Sequence, residues 1–326
     1  MLGGFVTVRT PVDISALERQ ITSTVQRVQI DEELREDEYR LLDGLFERKP
    51  ELMLRVFGFD EELATLRFLR LFPNVKKFSL SGLFKVASLE NLSLLSGDLI
   101  SLDIGETKAK LDLAPATRFR GLRELRVEGH IKSLDELLES VPELKALSLW
   151  RLPLDRVSLE ESLPRKIESL ALTLGSLKRT DWLTNLADLR YLAVRKVRGI
   201  DDFRWLASLG KLEYLWLDGL SKFEEVPDLA SNAALLRIDL TGLRELRAAD
   251  ALEPILHAPA IEELLVTESR LPPDAFAVLK QKESLRRVGV GLGSDRRDDE
   301  ANAILQMDAP EFMGQFAAHR GLIATL

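Results

Sequence analysis

Leu144-Lys-Ala-Leu147-Ser-Leu149 and Leu212-Glu-Tyr-Leu215-Trp-Leu217 decide the fold. They are copies of one phrase, Leu-x-x-Leu-x-Leu, in which other aliphatic residues also serve. Its first positions are Val75, Leu99, Leu122, Leu144, Ile167, Leu189, Leu212, Leu235, Ile261 and Leu285, at steps of 22 to 26 residues. A fixed period in the twenties predicts stacked coils, each burying its apolar side only against its neighbours. Strand alternation within a copy sends the fourth and sixth positions inward and the third, fifth and seventh outward.

Between copies the chain must return. The arms SLDELLESVPEL (133–144), RTDWLTNLADL (179–189) and DDFRWLASLGKL (201–212) space apolar residues by three and four, which predicts one-sided helices or tight turns. Trp182 and Trp205 occupy the same place in successive arms and are expected in the core. Each strand is reached by a full coil, so the strands should lie parallel.

The flanks lack the phrase. Residues 1–50 are expected to form a helical N-terminal cap, because Ile14, Leu17, Ile21, Val25 and Val28 recur at helical spacing. A second helical pattern, DEELREDEYRLLDGLFER, ends before Pro50. Residues 51–292 form the repeat array, of about ten copies. It opens on a degenerate coil in which Leu54 and Val56 precede Phe78 and Leu80 by 24 residues. Residues 293–326 read as a C-terminal cap. Their glycine-rich, charged start (GLGSDRRDDE) reads as a break, and Ala301–Leu326 as a helical pattern covering the far end of the core.

This phrase and period resemble the leucine-rich repeat family over roughly residues 75–292. The resemblance implies an α/β fold: a curved right-handed solenoid, with a parallel sheet on the concave face and helices or turns on the convex face. The resemblance is to an atypical, bacterial-type member, and it implies a surface used to bind other proteins. The family commonly carries asparagine at the ninth position of the phrase, where its side chain bonds turn backbone. Here those positions are Leu83, Thr107, His130, Leu152, Gly175, Val197, Leu220, Leu243, Ser269 and Gly293, with no asparagine. The turns must satisfy their backbone groups otherwise.

Binding is sought among outward residues. Two of the three tyrosines and two of the four tryptophans fall at outward positions of the fourth to eighth copies. Trp150, Tyr191, Tyr214 and Trp216, mixed with Arg195, Asp218, Arg237 and Asp239, have the composition of a protein-interface hot spot. The expected function is a non-enzymatic interaction module holding another protein there. The alternative is a regulator, inhibitor, immunity protein or adaptor acting on an enzyme or toxin, in which the acidic stretch Asp31–Glu38 engages a basic partner.

Composition narrows the partners. The 326 residues carry a net charge of −8, which argues against a general nucleic-acid or anionic-membrane binder. The absence of cysteine excludes disulfides, thiolate nucleophiles and cysteine-bound zinc. It fits a cytoplasmic setting, as does the lack of a visible secretory leader. His130, His257 and His319 fall in different contexts, so no metal site is expected. No phosphate loop, dinucleotide fingerprint or nucleophile elbow occurs, so no catalytic residue or cofactor is expected. Gly289–Ser294 reads as a relaxed last coil.

Overall fold

The computed structural model describes residues 4–322. They form two compact units. One runs to Leu152 and includes Val157–Pro164; the other holds Pro153–Arg156 and the chain from Arg165 onward.

The first unit contains seven strands: β1 (Gly4–Thr7), β2 (Val25–Ile30), β3 (Met53–Val56), β4 (Lys77–Ser79), β5 (Ser101–Ile104), β6 (Glu124–Glu128) and β7 (Ala146–Trp150). They pair in chain order and in parallel. Its helices are α1 (Ile14–Gln20), α2 (Glu36–Arg48), α3 (Glu61–Ala64), α4 (Leu134–Ser140) and α5 (Leu159–Ser162). The inward ruler holds: on β6, Leu125 and Val127 are buried, while Glu124, Arg126 and Glu128 stay partly exposed.

The second unit contains β8 (Ser169–Thr173), β9 (Tyr191–Arg195), β10 (Tyr214–Asp218), β11 (Arg237–Thr241), β12 (Glu263–Thr267) and β13 (Arg287–Gly291), also parallel and in chain order. It ends in α6 (Asp295–Leu305) and α7 (Met313–His319). Most of its returning arms are short 3-10 helices, such as Asp181–Asn185 and Arg204–Ser208. Trp182 and Trp205 are buried there, their ring N–H groups donating to the Arg179 and Asp202 carbonyls at 2.9 and 2.8 Å.

The flanks differ from the sequence reading in physical detail. Ile14–Val28 is not one helix: α1 stops at Gln20, and Val25–Ile30 is a strand paired with β1 and β3. The branched residues Val25, Val28 and Ile30 favour a strand, and pairing on both edges settles the choice. In the GLGSDRRDDE stretch the break is confined to Leu292–Ser294, since α6 begins at Asp295. The helical pattern expected from Ala301 to Leu326 is interrupted. Gln306 ends α6 in a left-handed conformation, and the chain runs extended before α7. The last four residues of that pattern lie outside the described residues.

The ends of the strands turn in a repeated way. The eighth position of the phrase has positive φ at Gly82, Gly129, Gly219 and Gly242, but also at Arg151, Leu174, Lys196 and Glu268. A side chain in this left-handed region costs about 1–2 kcal/mol, so these four turns are strained by the coil geometry.

The missing asparagine has substitutes. At one ninth position stands His130, fully buried. Its Nδ1 accepts from the Leu111 N–H at 3.2 Å, and its Nε2 faces the Gly105 carbonyl at 3.0 Å. The neutral ring protonated at Nε2 satisfies both backbone groups across adjacent coils. Burial lowers its pKa from the ordinary value. The unfolded chain therefore takes up this proton first as pH falls. The stability His130 contributes is present above about pH 6.5, the ordinary histidine value, and is lost on acidification toward the folded pKa. We expect urea-melt midpoints of the wild type to fall between about pH 7 and 5 more steeply than those of His130→Asn, whose amide cannot titrate. Equal slopes would sink this role.

On the returning side a second ladder forms. Asn232 Nδ2 donates to the Leu206 and Leu209 carbonyls of the preceding coil at 2.9 and 3.0 Å. Arg118 and Lys282 do the same for the carbonyls of Leu95 and Leu256 in the coils before theirs. Side chains thus collect the orphan carbonyls of short helices.

Candidate binding face

The outward face of each unit carries the residues singled out from sequence. In the first unit this face is mixed in charge. Arg126 bonds Asp103 at 2.9 Å and Glu128 at 2.7 Å, and its guanidinium lies 4.7 Å from the Trp150 ring centroid. Trp150 is partly exposed and donates to Ser148 Oγ at 2.8 Å. The acidic stretch near Asp31 is engaged within this unit. Asp31 pairs with Arg9 at 3.1 Å, and Glu38 accepts from the backbone N–H groups of Val12 and Arg35.

In the second unit the ruler assigns the side correctly but not the exposure. Tyr191, Tyr214, Arg237 and Asp239 all point away from the leucine core, yet each is at most 2% exposed. The C-terminal segment causes this. After α6 packs against the last arm and β13, residues 306–312 pass β13 and α7 lies on the outward face. Phe316, Ala317 and Leu322 pack with Ala171, Tyr191, Ala193 and Tyr214, with Trp216 and Met313 at the margin. Phe316 meets Tyr214 edge-on at 5.5 Å, and Tyr214 meets Tyr191 likewise at 5.2 Å.

Beneath α7 lies a charged network. Arg237 grips Asp239 with two hydrogen bonds of 2.8 and 3.1 Å, and reaches Glu263 at 3.0 Å and the Glu311 carbonyl at 2.6 Å. The Tyr214 hydroxyl donates to Asp239 at 2.7 Å. Arg287 bridges Glu263 and Glu311 at 2.7 and 3.0 Å. Burial raises the Asp239 carboxyl above its ordinary value, despite the bonds from Arg237 and Tyr214. Burial also raises both tyrosine hydroxyls well above theirs.

The segment is admitted by a glycine that the sequence reading treated as slack. A Cβ at Gly289 would come within 2.9 Å of Pro310 Cδ and 2.8 Å of Leu265 Cδ1. Gly289 is therefore a crossing point, where the returning chain passes close to the strand.

The cover is incomplete. Arg195 lies 3.9 Å from the Trp216 ring centroid and 3.5 Å from Asp218, and both Arg195 and Trp216 keep some exposure. A cavity of about 250 Å³ remains between α7 and the ends of β12 and β13, lined by Glu262, Arg287, Glu311, Phe316, His319 and Arg320 among others. Two buried polar atoms on this side, Ser169 Oγ and Tyr191 Oη, have no hydrogen-bond partner, and Arg195 Nε has only its 3.5 Å approach to Asp218.

The histidines do not converge: His257 pairs with Asp228 at 3.0 Å and His319 with Glu311 at 3.2 Å. Among the described residues no helix is long and apolar enough to cross a membrane.

No family profile matches the chain, and no curated protein does. Solved structures do. The TLR13 chain in a TLR13–ssRNA13 complex is 15% identical with a TM-score of 0.56, over 88% of this chain and 44% of that one. This chain thus spans under half of the TLR13 chain. Internalin C2 of Listeria monocytogenes is 18% identical (TM-score 0.37; 69% and 83% covered). A leucine-rich repeat protein of Leptospira interrogans is 13% identical (TM-score 0.47; 89% and 90%). At these identities the likeness is one of fold.

Proposed function

The chain has the leucine-rich repeat fold, and we propose that it uses that fold as a non-enzymatic module that holds another protein on the outward face of β8–β13. The observation carrying this reading is the concentration of aromatic and charged residues on that face at strand positions that do not build the leucine core. Trp216 under the Arg195 guanidinium is the accessible part of it. Stacked pairs of this kind, half desolvated, are the usual anchors of protein interfaces. The TLR13 structure contains a single-stranded RNA. The net charge of −8 here, with Asp218, Asp239 and Glu263 on the face, favours a protein over a polyanion.

The test is capture of partners from the native source on immobilised wild type and on Trp216→Ala/Arg195→Ala. Losing an aromatic–arginine anchor should weaken the specific partner about 30-fold or more, the equivalent of roughly 2 kcal/mol, with the cooperative fold retained. A partner retained at full affinity places the site elsewhere.

A further inference from the structure

We propose that the segment carrying α7 is a displaceable occupant of the binding face. Its partner, a helical segment of another protein, enters by taking α7's place. The inference rests on the reading that this face binds protein. Such a partner would present an aromatic anchor where Phe316 sits between Tyr214 and Arg237, and a small residue after it. It would also carry oxygen acceptors for the arginines.

The placement is the first argument. Among the described residues, the piece that lies over the outward aromatic column, with Phe316, Ala317 and Leu322, belongs to no repeat. Phe316 lies against Tyr214 and within 5.3 Å of the Arg237 guanidinium. It already makes the contacts an interface anchor makes.

The weakness of its hold is the second. Helix α7 spans seven residues, and Gly314 and Gly321 lie in and just after it. So short a helix with glycine inside has little stability of its own. Its outer ties to the face are Arg320 to Glu262 at 2.9 Å and the Arg190 guanidinium to the Arg320 carbonyl at 3.2 Å, both exposed. Exposed pairs contribute under about 1 kcal/mol each.

The unmet bonding is the third. Tyr191 Oη and Ser169 Oγ are buried without a hydrogen bond. Buried donors in folded proteins are nearly always paired. The apolar Phe316–Ala317–Leu322 surface offers them nothing, and a partner helix bearing a carboxylate or free carbonyl at that place would.

A tethered occupant competes at an effective concentration in the millimolar range, so its release should be measurable as gained affinity. The experiment uses the full chain as wild type, as Phe316→Asp, and as Arg320→Glu, which disturbs only the rim. The probe is a fluorescein-labelled peptide of residues 309–322 (APEFMGQFAAHRGL). Amide exchange across 313–322 should quicken at least tenfold in Phe316→Asp while β9–β12 stay protected. The peptide should bind that variant at least tenfold tighter than it binds wild type, with Arg320→Glu between them. A peptide with Ala at the Phe316 place should not bind.

Unchanged exchange in both variants, or equal peptide binding by all three chains, overturns the proposal. So does a dimer formed by Phe316→Asp, which would make a second copy the occupant. If Phe316→Asp fails to fold, Arg320→Glu carries the same comparison. Partner capture separates the two readings. If Trp216→Ala/Arg195→Ala loses the partner while segment release leaves capture unchanged, the face stands and the displacement falls.

Discussion

Arg237→Ala should lower the unfolding free energy by about 3–5 kcal/mol, the cost of leaving buried carboxylates without their cation. Asp239 and Glu263 are 1% and 4% exposed at their side chains. Without Arg237, Asp239 keeps only the Tyr214 hydroxyl, while Glu263 still has Arg287. The substitution also removes the bond to the Glu311 carbonyl and the cation beside Phe316, so exchange across α7 should quicken together with global destabilisation. Arg237→Lys should fall between, because one ammonium cannot reproduce the two-pronged grip on Asp239. The pH dependence fixes the mechanism. Arg237 holds the Asp239 pKa down against burial, so its loss raises that pKa further; the variant's folded state then binds more protons than the wild type's, and the gap should narrow on acidification. Chemical denaturation at pH 7 and pH 5 checks this; a gap that widens at low pH would mean the carboxylates are not what is left unpaired.

Asn232→Ala ranks next, with an expected loss of about 2 kcal/mol. The residue is fully buried, and its amide holds two carbonyls of the coil before it. Both carbonyls keep one backbone bond, from Leu209 and Leu212, which holds the cost near that of two ordinary hydrogen bonds and a small void. Asn232→Asp is the sharper variant. It keeps the shape but turns the donor into an oxygen facing two oxygens, so at neutral pH it should be at least as damaging as alanine. Burial and the two carbonyl oxygens would raise that carboxyl above its ordinary value, so on acidification its protonated form can donate again and stability relative to Asn232→Ala should recover. Thermal melts across pH measure both, and an Asp variant as stable as wild type at pH 7 would remove Asn232 from the ladder.

Much of the architecture was legible because one spacing carries it. The strands β4 to β13 begin at the third position of successive copies, and the inward aliphatics are buried as strand alternation requires, save half-buried Val290 in the last copy. The N-terminal strands were hidden by a coincidence of spacing. Val25, Val28 and Ile30 match the phrase in branched residues, but Val25 and Val28 also continue the helical spacing that starts at Ile14. Only pairing with β1 and β3, which is a long-range fact, separates the two. The candidate site was legible by side and not by depth. Alternation tells that Tyr214 and Arg237 leave the leucine core, and says nothing of what lies over them. Phe316 comes from about 100 residues further along, in the segment MGQFAAH, whose weak pattern announces no target. Gly289, which lets Pro310 pass, was the one local trace of that crossing.

The extended stretch before α7 has one more role. The backbone of Asp308 lies parallel beside β13, and its carbonyl accepts from the Val288 N–H at 2.9 Å. An uncovered outer strand is a template on which another molecule can add a strand, and from there a filament can grow. The chain occupies one position of that edge with its own backbone, ahead of Pro310 and of the helix. On the displacement proposed above, the helix would leave the face while Asp308 keeps its place. Exposing the binding face need not make the protein polymerise.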